Sequence, residues 1–456
     1  MLNGWFHKMS FIAQLAGKKC LVIGAGVTGQ AVRKALQDFG ASVAIFDENN
    51  KADSVNSLPD DIELAITSPG WRPDHEIFKE LAARGIQILS EIDFAWLIKS
   101  ELAPNQKWLA LTGTNGKTTT IQMVENIFKL SGVNGIACGN VGETVIASVC
   151  KSPSYEFLAL ELSSFQIEWS DLPQYETVAI LNISPDHIDW HGSFDLYANS
   201  KLKLLSQSKR SVLNKSDIEL KKRCSQMSDV IWFSLDTPAP GEIGLVEELL
   251  IDRAFSLNPQ EANEIAELVD ITPTVPHNVL NAMAAAALAL SIGINYEDIK
   301  KGLASFSTDH HRMELVRSHN EINWIDDSKA TNPHAAAASI MSNLNVIWIA
   351  GGLAKGASMD DLIKQCGKRI KSAILIGKDR ELIAKALQQY APEVAVKLID
   401  LKTDSKQLMA DAVRAAADIA VAGDTVLLAP ACASMDQFSS YVERGQLFAH
   451  AVKALQ

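Results

Sequence analysis

Apolar runs that end in glycine turns recur along this chain, and each run is followed by a stretch with helical spacing. The first run, 19–23, leads into Gly24 and a helical pattern that continues to Phe39. The run 108–111 repeats this arrangement, whereas the run 42–46 ends at Asp47. Strands that alternate with helices form parallel sheets, whose ligands bind at the carboxyl ends of the strands. The pattern therefore predicts an α/β fold with doubly wound sheets.

The turn after the run 108–111 has the residues of a phosphate-binding loop, Gly113-Thr-Asn-Gly-Lys-Thr118. Such a turn directs backbone N–H groups and the positive end of a helix dipole at one point. Lys117 adds a charge, and Thr118 adds a hydroxyl suited to Mg²⁺. The loop is shorter than the full Walker pattern, because Leu111 stands where the first glycine would be. We predict a nucleoside triphosphate site, with a glycine turn carrying a surface lysine as the alternative.

A second glycine turn lies near the start of the chain, at Gly24-Ala-Gly-Val-Thr-Gly29, and Asp47 ends the next apolar run. This is the spacing of a dinucleotide fingerprint, in which the acid accepts ribose hydroxyls. Three interpretations remain open from the residues alone. The turn binds NAD, it binds another nucleotide diphosphate, or it only permits close packing of helix on strand.

The chain has 456 residues, which exceeds the ~250–300 at which a single core stops growing. The alternation of strands and helices is interrupted at Pro104, and a third segment begins near His310. We predict three domains: a Rossmann-like domain at 1–104, a central P-loop mononucleotide-binding α/β domain at 105–309, and a C-terminal Rossmann-like domain at 310–456.

Composition excludes several classes of protein. The net charge of -12 argues against nucleic-acid binding, and the six cysteines include no C-x-x-C pair that would suggest zinc or a disulfide framework. The N-terminus has no apolar segment typical of secretion, and Met9 is a second candidate start. The longest nearly apolar stretch, 280–294, is too short to span a bilayer. We expect a cytoplasmic protein without membrane insertion.

Candidate chemistry also follows the phosphate loop. Glu161 ends an apolar strand, and a carboxylate there suits a nucleotide-bound Mg²⁺ if that strand neighbours the loop. His187 follows the next strand, and Lys201 and Lys203 stand on a later helix. Taken alone, the two lysines are best interpreted as a solvated helix face.

Polar residues follow three further apolar runs in the last third of the chain. Asp327-Ser-Lys-Ala-Thr331 follows the run 322–325, and Lys355 closes the turn after 346–350. Ser434 lies in the turn after 425–428. Because carboxyl ends of parallel strands share one edge, we expect these turns to form one ligand edge.

Several of these motifs, in this order, resemble those of the ATP-dependent Mur ligases over nearly the whole chain. The resemblance implies amide-bond formation through an acyl phosphate. The segments 161–166, 327–332 and 430–434 are most similar to the members that add D-glutamate to UDP-N-acetylmuramoyl-L-alanine in cytoplasmic peptidoglycan precursor synthesis. The motifs concerned are Gly113–Thr118, Glu161-Leu-Ser-Ser-Phe-Gln166, Asp186-His187, Asn278 with Asn281, His311-Arg312 and Asp327-Ser-Lys-Ala-Thr-Asn332.

The resemblance also implies a role for individual residues, together with ATP and two Mg²⁺ ions as cofactors and a monomeric state. The implied catalytic residues are Lys117, Lys201, His187 and Arg312. The implied ATP site comprises Gly113, Thr114, Asn115, Gly116, Lys117, Thr118, Thr119, Asn278, Asn281, Arg312, Asp327 and Lys329. The implied UDP-substrate contacts are Thr28, Asp47, Ser68, Asn140 and His187. The implied D-glutamate contacts are Thr331, Lys355, Ser434 and Tyr441. The implied metal ligands are Thr118, Glu161, His187 and Lys201, the last if it is carbamylated.

Other functions remain as alternatives at this point. Some relatives carry an acid where this chain has Leu353, so a Mur-type ligase with a different amino acid, or a folylpolyglutamate synthetase-like enzyme, is one alternative. A P-loop switch that binds ATP without forming an amide is another. A Rossmann dehydrogenase that binds NAD at Gly24–Gly29 is the third.

Overall fold

The computed structural model describes residues 10–50, 54–55, 57–256, 258, 260–307, 310–400 and 404–455, so Met9 lies outside the described residues. The chain separates into two compact units. The first comprises the residues up to 183 with Asp195–Ile271 and Asn278–Phe306, and the second comprises Ser184–Phe194, Thr272–His277 and the residues from 307 onward.

The first sheet is parallel, with strand order β2-β1-β3-β4. Its strands are apolar on both faces, as expected for a sheet covered by helices, and Leu21 and Ala65 pack with Phe78 in its core. The elements are α1 (Phe11–Leu15), β1 (Lys19–Ile23), α2 (Val27–Asp38), β2 (Ser42–Phe46), β3 (Leu64–Thr67), α3 (Glu76–Ala83), β4 (Gln87–Ser90) and α4 (Glu91–Leu102).

The second sheet has nine strands in the order β13-β12-β11-β10-β9-β8-β5-β7-β6. Its elements are β5 (Lys107–Thr112), α5 (Lys117–Ser131), β6 (Gly135–Gly139), α6 (Val145–Val149), β7 (Phe157–Glu161), α7 (Ser164–Glu168), β8 (Thr177–Ile180), α8 (Ile188–His191), α9 (Phe194–Leu202), β9 (Ser211–Asn214), α10 (Ile218–Cys224), β10 (Val230–Phe233), β11 (Glu242–Val246), β12 (Leu249–Asp252), β13 (Asn263–Glu267), α11 (Pro276–Ser291) and α12 (Tyr296–Ala304).

Strand β5 lies between β8 and β7, so the loop that follows it emerges from the interior of the sheet. The sheet is parallel from β6 to β11, and an antiparallel meander, β11-β12-β13, ends it. The predicted buried helix at 280–294 corresponds to α11, whose alanines from 284 to 287 are fully buried against this sheet's core.

The third sheet has the order β14-β15-β19-β16-β17-β18, and only β14 is antiparallel to its neighbour. Its elements are β14 (Glu314–His319), β15 (Ile322–Asp326), α13 (Pro333–Met341), β16 (Val346–Gly351), α14 (Asp360–Cys366), β17 (Ile370–Ile376), α15 (Arg380–Tyr390), β18 (Ala395–Leu398), α16 (Ser405–Ala417), β19 (Thr425–Leu428) and α17 (Tyr441–Lys453). Strands β15, β19 and β16 are adjacent, which confirms the prediction that their carboxyl ends share one edge.

These sheets confirm the predicted α/β fold class. The proposed domain boundaries stay a prediction: 104/105 falls between α4 and β5, and residues 308–309 lie outside the described part of the chain. Within that described part, no helix is both long and apolar enough to cross a membrane. All six cysteines are free thiols.

Two buried carboxyls on α4 hold the first sheet against the second within the first unit. Glu91 Oε1 accepts the N–H of Ile146, at 2.7 Å, at the start of α6. Asp93 Oδ1 accepts the backbone N–H groups of Asp171 and Leu172, at 3.0 and 2.9 Å. Both carboxyls satisfy donors that burial would otherwise leave without partners.

Glu91 should make the unit's stability fall as the pH rises. Burial raises the pKa of Glu91 from 4.5 to about 7, against the opposing effect of the Ile146 and Val145 N–H groups. Between these two pH values the folded state binds more protons than the unfolded state, so the free energy of unfolding decreases with increasing pH until about pH 7. Glu91→Gln removes the ionisation and keeps an acceptor oxygen. The difference in unfolding free energy between the variant and the unsubstituted protein should therefore shift in favour of the variant from pH 5 to pH 8, by on the order of 2 kcal/mol.

Urea unfolding at pH 5 and pH 8 measures this difference. Glu168→Gln, at an exposed position on α7, is the control and should show a much smaller change with pH. If Glu91→Gln changes the free energy of unfolding equally at both pH values, the role given to the Glu91 carboxyl is contradicted.

Candidate functional site

The phosphate loop lies between β5 and α5, as the sequence predicts. Gly116 has the left-handed φ of 84° at the N-cap of α5, a conformation that glycine adopts without strain. A Cβ built on Gly116 would collide with Oδ1 of Asn281. The structure therefore brings Asn281, a predicted nucleotide contact, directly against the loop, and the neighbouring Asn278 on α11 is also buried.

A reciprocal amide pair that the sequence analysis missed holds the loop's conformation. The Asn115 N–H donates to Asn182 Oδ1 at 2.8 Å, and Asn182 Nδ2 donates to Asn115 O at 3.0 Å. The Thr114 N–H donates to Asn182 O at 3.0 Å. Asn182 lies two residues after the end of β8, which is next to β5, so its place just beyond a strand end was the available signal.

Two lysines converge on the same carbonyl of the loop. Lys117 Nζ donates to Gly113 O at 2.9 Å, and Lys201 Nζ donates to the same oxygen at 3.0 Å. Lys201 also lies 3.3 Å from Thr112 Oγ1 and 4.8 Å from the centre of the Tyr197 ring. With Lys201 only 1% exposed, the interpretation of this residue as part of a solvated helix face is wrong.

The periodicity of α9 explains that error. Lys201 and Tyr197 are four residues apart and share the buried face of α9, while Lys203 follows the helix and donates to Ile167 O at 3.1 Å. Tyr197 OH in turn lies 2.9 Å from Thr114 Oγ1 in the loop. Tyr197 is thus a second residue of the site to which the sequence analysis gave no role.

Glu161 lies beside the loop, because β7 pairs with β5 in a register that puts Glu161 opposite Leu111. Its side chain is 1% exposed. Oε1 accepts from Asn140 Nδ2 at 3.1 Å, whereas the buried Oε2 has no hydrogen-bond partner among the described residues. A buried carboxylate oxygen without a donor beside a phosphate loop fits a divalent cation. The predicted ligands Thr118 and Lys201 belong to the same unit.

The Gly116 collision allows a matched test of the loop. Gly116→Ala and Gly132→Ala both place a Cβ at a left-handed end of α5, but a Cβ at Gly132 meets no atom within 4 Å. Each should lose about 1–2 kcal/mol of stability from backbone strain. We expect only Gly116→Ala to raise the KM for ATP, by about tenfold or more, since its methyl group displaces Asn281. Steady-state kinetics and urea unfolding of both variants check this, and equal KM values would contradict it.

The first glycine turn packs tightly against β3. A Cβ on Gly24 would lie 2.7 Å from Ser68 Oγ, and this buried hydroxyl has no partner within the described part of the chain. Asp47 Oδ2 accepts the Ala25 N–H at 2.7 Å, and this hydrogen bond lowers the pKa of the Asp47 carboxyl. Thr28, on the first turn of α2, is partly exposed. The structure thus brings Asp47 and Ser68 together at the first glycine turn, and their role as UDP contacts stays a prediction.

In the second unit, the carboxyl end of β15 carries Asp327 and Lys329. Burial raises the pKa of Asp327 to about 6, and a hydrogen bond from Ser339 and the charge of Arg312 oppose that shift. Lys329 Nζ lies 4.0 Å from the centre of the Tyr441 ring, a cation–π distance. The charge of Arg312 thus favours the ionised form of Asp327, and Lys329 contacts Tyr441; the sequence analysis predicted neither pair.

The remaining predicted residues of this unit occupy the neighbouring turns. Thr331 precedes α13 and is partly buried, and Ser434 is 4% exposed. Lys355 is exposed with the left-handed φ of 49°. His187 also has a left-handed φ, and its N–H donates to Asp186 Oδ1 at 3.0 Å. His187 belongs to the second unit and Glu161 to the first, so their shared role at a metal ion stays a prediction.

One further cluster, His311, Glu314 and Asp326, brings three potential metal-ligand atoms within 4.8 Å of one another. His311 Nδ1 is 2.7 Å from Asp326 Oδ2, and the hydrogen bond to Asp326 raises the pKa of His311. A Cβ on Gly445 would collide with the His311 ring. The groups already pair with each other in a closely packed place, so we interpret them as a structural cluster.

Comparison with known proteins identifies the family of the chain. A family model described as Mur ligase middle domain matches residues 111–289, and one described as Mur ligase, glutamate ligase domain matches residues 311–432. The UDP-N-acetylmuramoylalanine--D-glutamate ligase of Thermobifida fusca is 43% identical over 469 aligned positions, which cover 97% of this chain and 99% of the relative.

Solved structures show the same fold. A pseudomurein peptide ligase type C from Methanothermus fervidus has a TM-score of 0.61 at 17% identity, covering 96% of this chain and 100% of its own. The MurF ligase from Thermotoga maritima in complex with ADP has a TM-score of 0.58 at 15% identity, covering 98% and 99%. From the family models and the full-length relative, the chain belongs to the Mur ligase family.

Proposed function

We propose that this protein is an ATP-dependent ligase that joins D-glutamate to UDP-N-acetylmuramoyl-L-alanine in peptidoglycan precursor synthesis. The similarity to D-glutamate ligases extends over 97% of the chain. The observation that carries the proposal is local: a phosphate loop with two lysines, Lys117 and Lys201, lies in the same unit as a buried Glu161 oxygen without a donor. Family membership argues against the dehydrogenase and switch alternatives.

The reaction activates a carboxylate, which is a poor acyl donor. An oxygen of the L-alanyl carboxylate attacks the γ-phosphorus of ATP, which gives an acyl phosphate and ADP. The D-glutamate nitrogen then attacks the acyl carbon, the C–O bond to the phosphate breaks as phosphate leaves with its electron pair, and the nitrogen loses a proton. Anions must meet at each step, so catalysis depends on positioning and on positive charge.

The loop residues suit this requirement. Lys117, now bonded to Gly113 O and Thr114 O, can turn to phosphate oxygens without leaving the loop. The N–H groups at the start of α5 receive the phosphates. Arg312 is the proposed second cation, and Asn278, Asn281, Asp327 and Lys329 complete the proposed nucleotide contacts.

Mg²⁺ would be held by Thr118, Glu161, His187 and, if carbamylated, Lys201, with two ions proposed. When bound, the metal neutralises phosphate charge. The orphan oxygen of Glu161 supports this set.

The substrates are assigned to the two remaining ligand edges. We propose that Thr28, Asp47 and Ser68 of the domain at 1–104 bind the UDP group, and that Asn140 and His187 lie toward the muramoyl end. Thr331, Lys355, Ser434 and Tyr441 of the domain at 310–456 are proposed to bind the D-glutamate carboxylates. We propose that the enzyme acts as a cytoplasmic monomer.

The test is phosphate release by the purified protein with Mg-ATP and UDP-N-acetylmuramoyl-L-alanine, supplied separately with D-glutamate, L-glutamate, L-lysine or meso-diaminopimelate, with product mass as the second readout. We expect release and a product heavier by one residue only with D-glutamate. A product with another amino acid would move the enzyme within the family, and no product with any would overturn the proposal.

A further inference from the structure

The charged side chain of Arg444, on α17, is completely buried. Its exposure is 0%, and burial lowers its pKa to about 10. In the part of the chain that the structure describes, no carboxylate forms a salt bridge with its guanidinium group. A buried cation of this kind is costly unless its donors are satisfied, so the contacts that it makes must compensate.

Those contacts are all made to the carboxyl-end turns of the third sheet. Nε donates to Ser328 Oγ at 3.0 Å, and one terminal nitrogen, Nη2, donates to Ser328 O at 2.9 Å. The other, Nη1, donates to Cys432 O at 3.1 Å and lies 3.5 Å from Gly351 O. One guanidinium group thus joins the turns that follow β15 and β19 to the last residue of β16, which leads into the third turn.

These turns carry the residues that we assign to the amino-acid substrate. Ser328 precedes Lys329 and Thr331, Gly351 ends β16 just before the turn to Lys355, and Cys432 lies two residues before Ser434. Ser328 Oγ also donates to Tyr441 O at 2.8 Å, which ties the start of α17 to the same centre. Arg444 is therefore the one side chain that touches all three turns directly among the described contacts.

The shape of the guanidinium group explains why an arginine stands here. Its planar fork presents donors in several fixed directions, whereas a lysine ammonium is a single point at the end of a flexible chain. A lysine at this position could satisfy one or two carbonyls but could not span from Ser328 O to Gly351 O.

We propose that Arg444 is a positioning residue that sets the spacing of the three turns and thereby the affinity for the amino-acid substrate. This inference rests on the proposed D-glutamate site. Arg444 does not touch the substrate in this scheme, since it is buried beneath the turns.

The test is Arg444→Lys, which keeps the charge and removes the fork. We expect the KM for D-glutamate to rise by about tenfold or more, the effect of losing one or more charge-assisted hydrogen bonds, with a smaller change in the KM for UDP-N-acetylmuramoyl-L-alanine. Backbone amide exchange in the turns at 328–332, 351–356 and 432–434 should become faster. Arg414→Lys, at an exposed position on α16, is the matched control and should leave both unchanged.

The outcomes separate this inference from the proposed function. If the unsubstituted enzyme forms product with D-glutamate but folded Arg444→Lys has an unchanged KM, the inference is overturned and the function stands. If Arg444→Lys does not fold, Ser328→Ala takes its place, because it removes the Nε acceptor and the tie to Tyr441; it should raise the same KM, and an unchanged value also overturns the inference. If the unsubstituted enzyme forms no product, the proposed function fails and this inference fails with it.

Discussion

Lys117→Ala is expected to reduce turnover by about a thousandfold or more, because in the proposed mechanism it removes the cation that stabilises the transferring phosphoryl group. In the structure Lys117 Nζ bonds to Gly113 O and Thr114 O, at 2.9 and 3.0 Å. The charge is thus held within the loop before nucleotide arrives. The measurement is the steady-state rate of phosphate release with all three substrates.

Lys129→Ala is the matched control, because Lys129 lies on the same helix, α5, in its last turn and is exposed. It should retain the turnover of the unsubstituted enzyme. Urea unfolding of both variants excludes a loss of fold as the cause. Turnover of folded Lys117→Ala within tenfold of the unsubstituted enzyme would contradict the role given to this lysine.

The sequence predicts the phosphate loop well because its chemistry is local. A strand, a glycine turn and a helix occupy consecutive residues, and φ at Gly116 follows from that geometry. The position of Glu161 beside the loop depended only on the pairing of β7 with β5. Only the second prediction needed a step beyond the order of residues in the chain, namely which strands pair.

The contacts that the sequence did not predict join residues that are far apart in the chain. Their residue types are common and give no signal of their own. Asn182 binds Asn115 across 67 positions, and Arg444 reaches Ser328 across 116. Nothing in the helical pattern of α17 indicates that its arginine points inward, since Arg444 is charged and burial favours apolar residues. The burial of Lys201 was missed for the same reason, and the structure reveals it through the loop carbonyl that Lys201 binds.

Lys201→Ala is expected to reduce turnover about a hundredfold or more, and short carboxylic acids should restore part of it. The ammonium observed here donates to Gly113 O at 3.0 Å. A carbamate nitrogen would retain one N–H that can make the same bond, and its two oxygens would supply a carboxylate-like ligand for the metal. In the alanine variant, formate, acetate or propionate can enter the space that the side chain leaves. The measurement is the initial rate of phosphate release against acid concentration.

Alkylamines distinguish the two forms of Lys201. If the residue acts as an ammonium, methylamine or ethylamine should restore turnover and the acids should not. Lys203→Ala is the matched control, because Lys203 binds only Ile167 O, Glu168 O and the Asp171 carboxylate among its observed contacts, and it should keep its turnover without any additive. Rescue by acids alone supports a carbamate that binds metal. Rescue by amines alone contradicts the carbamate, because Lys201 would then act as a cation. A failure of both additives also contradicts it, because a packing role would then account for the burial of Lys201 beneath the phosphate loop.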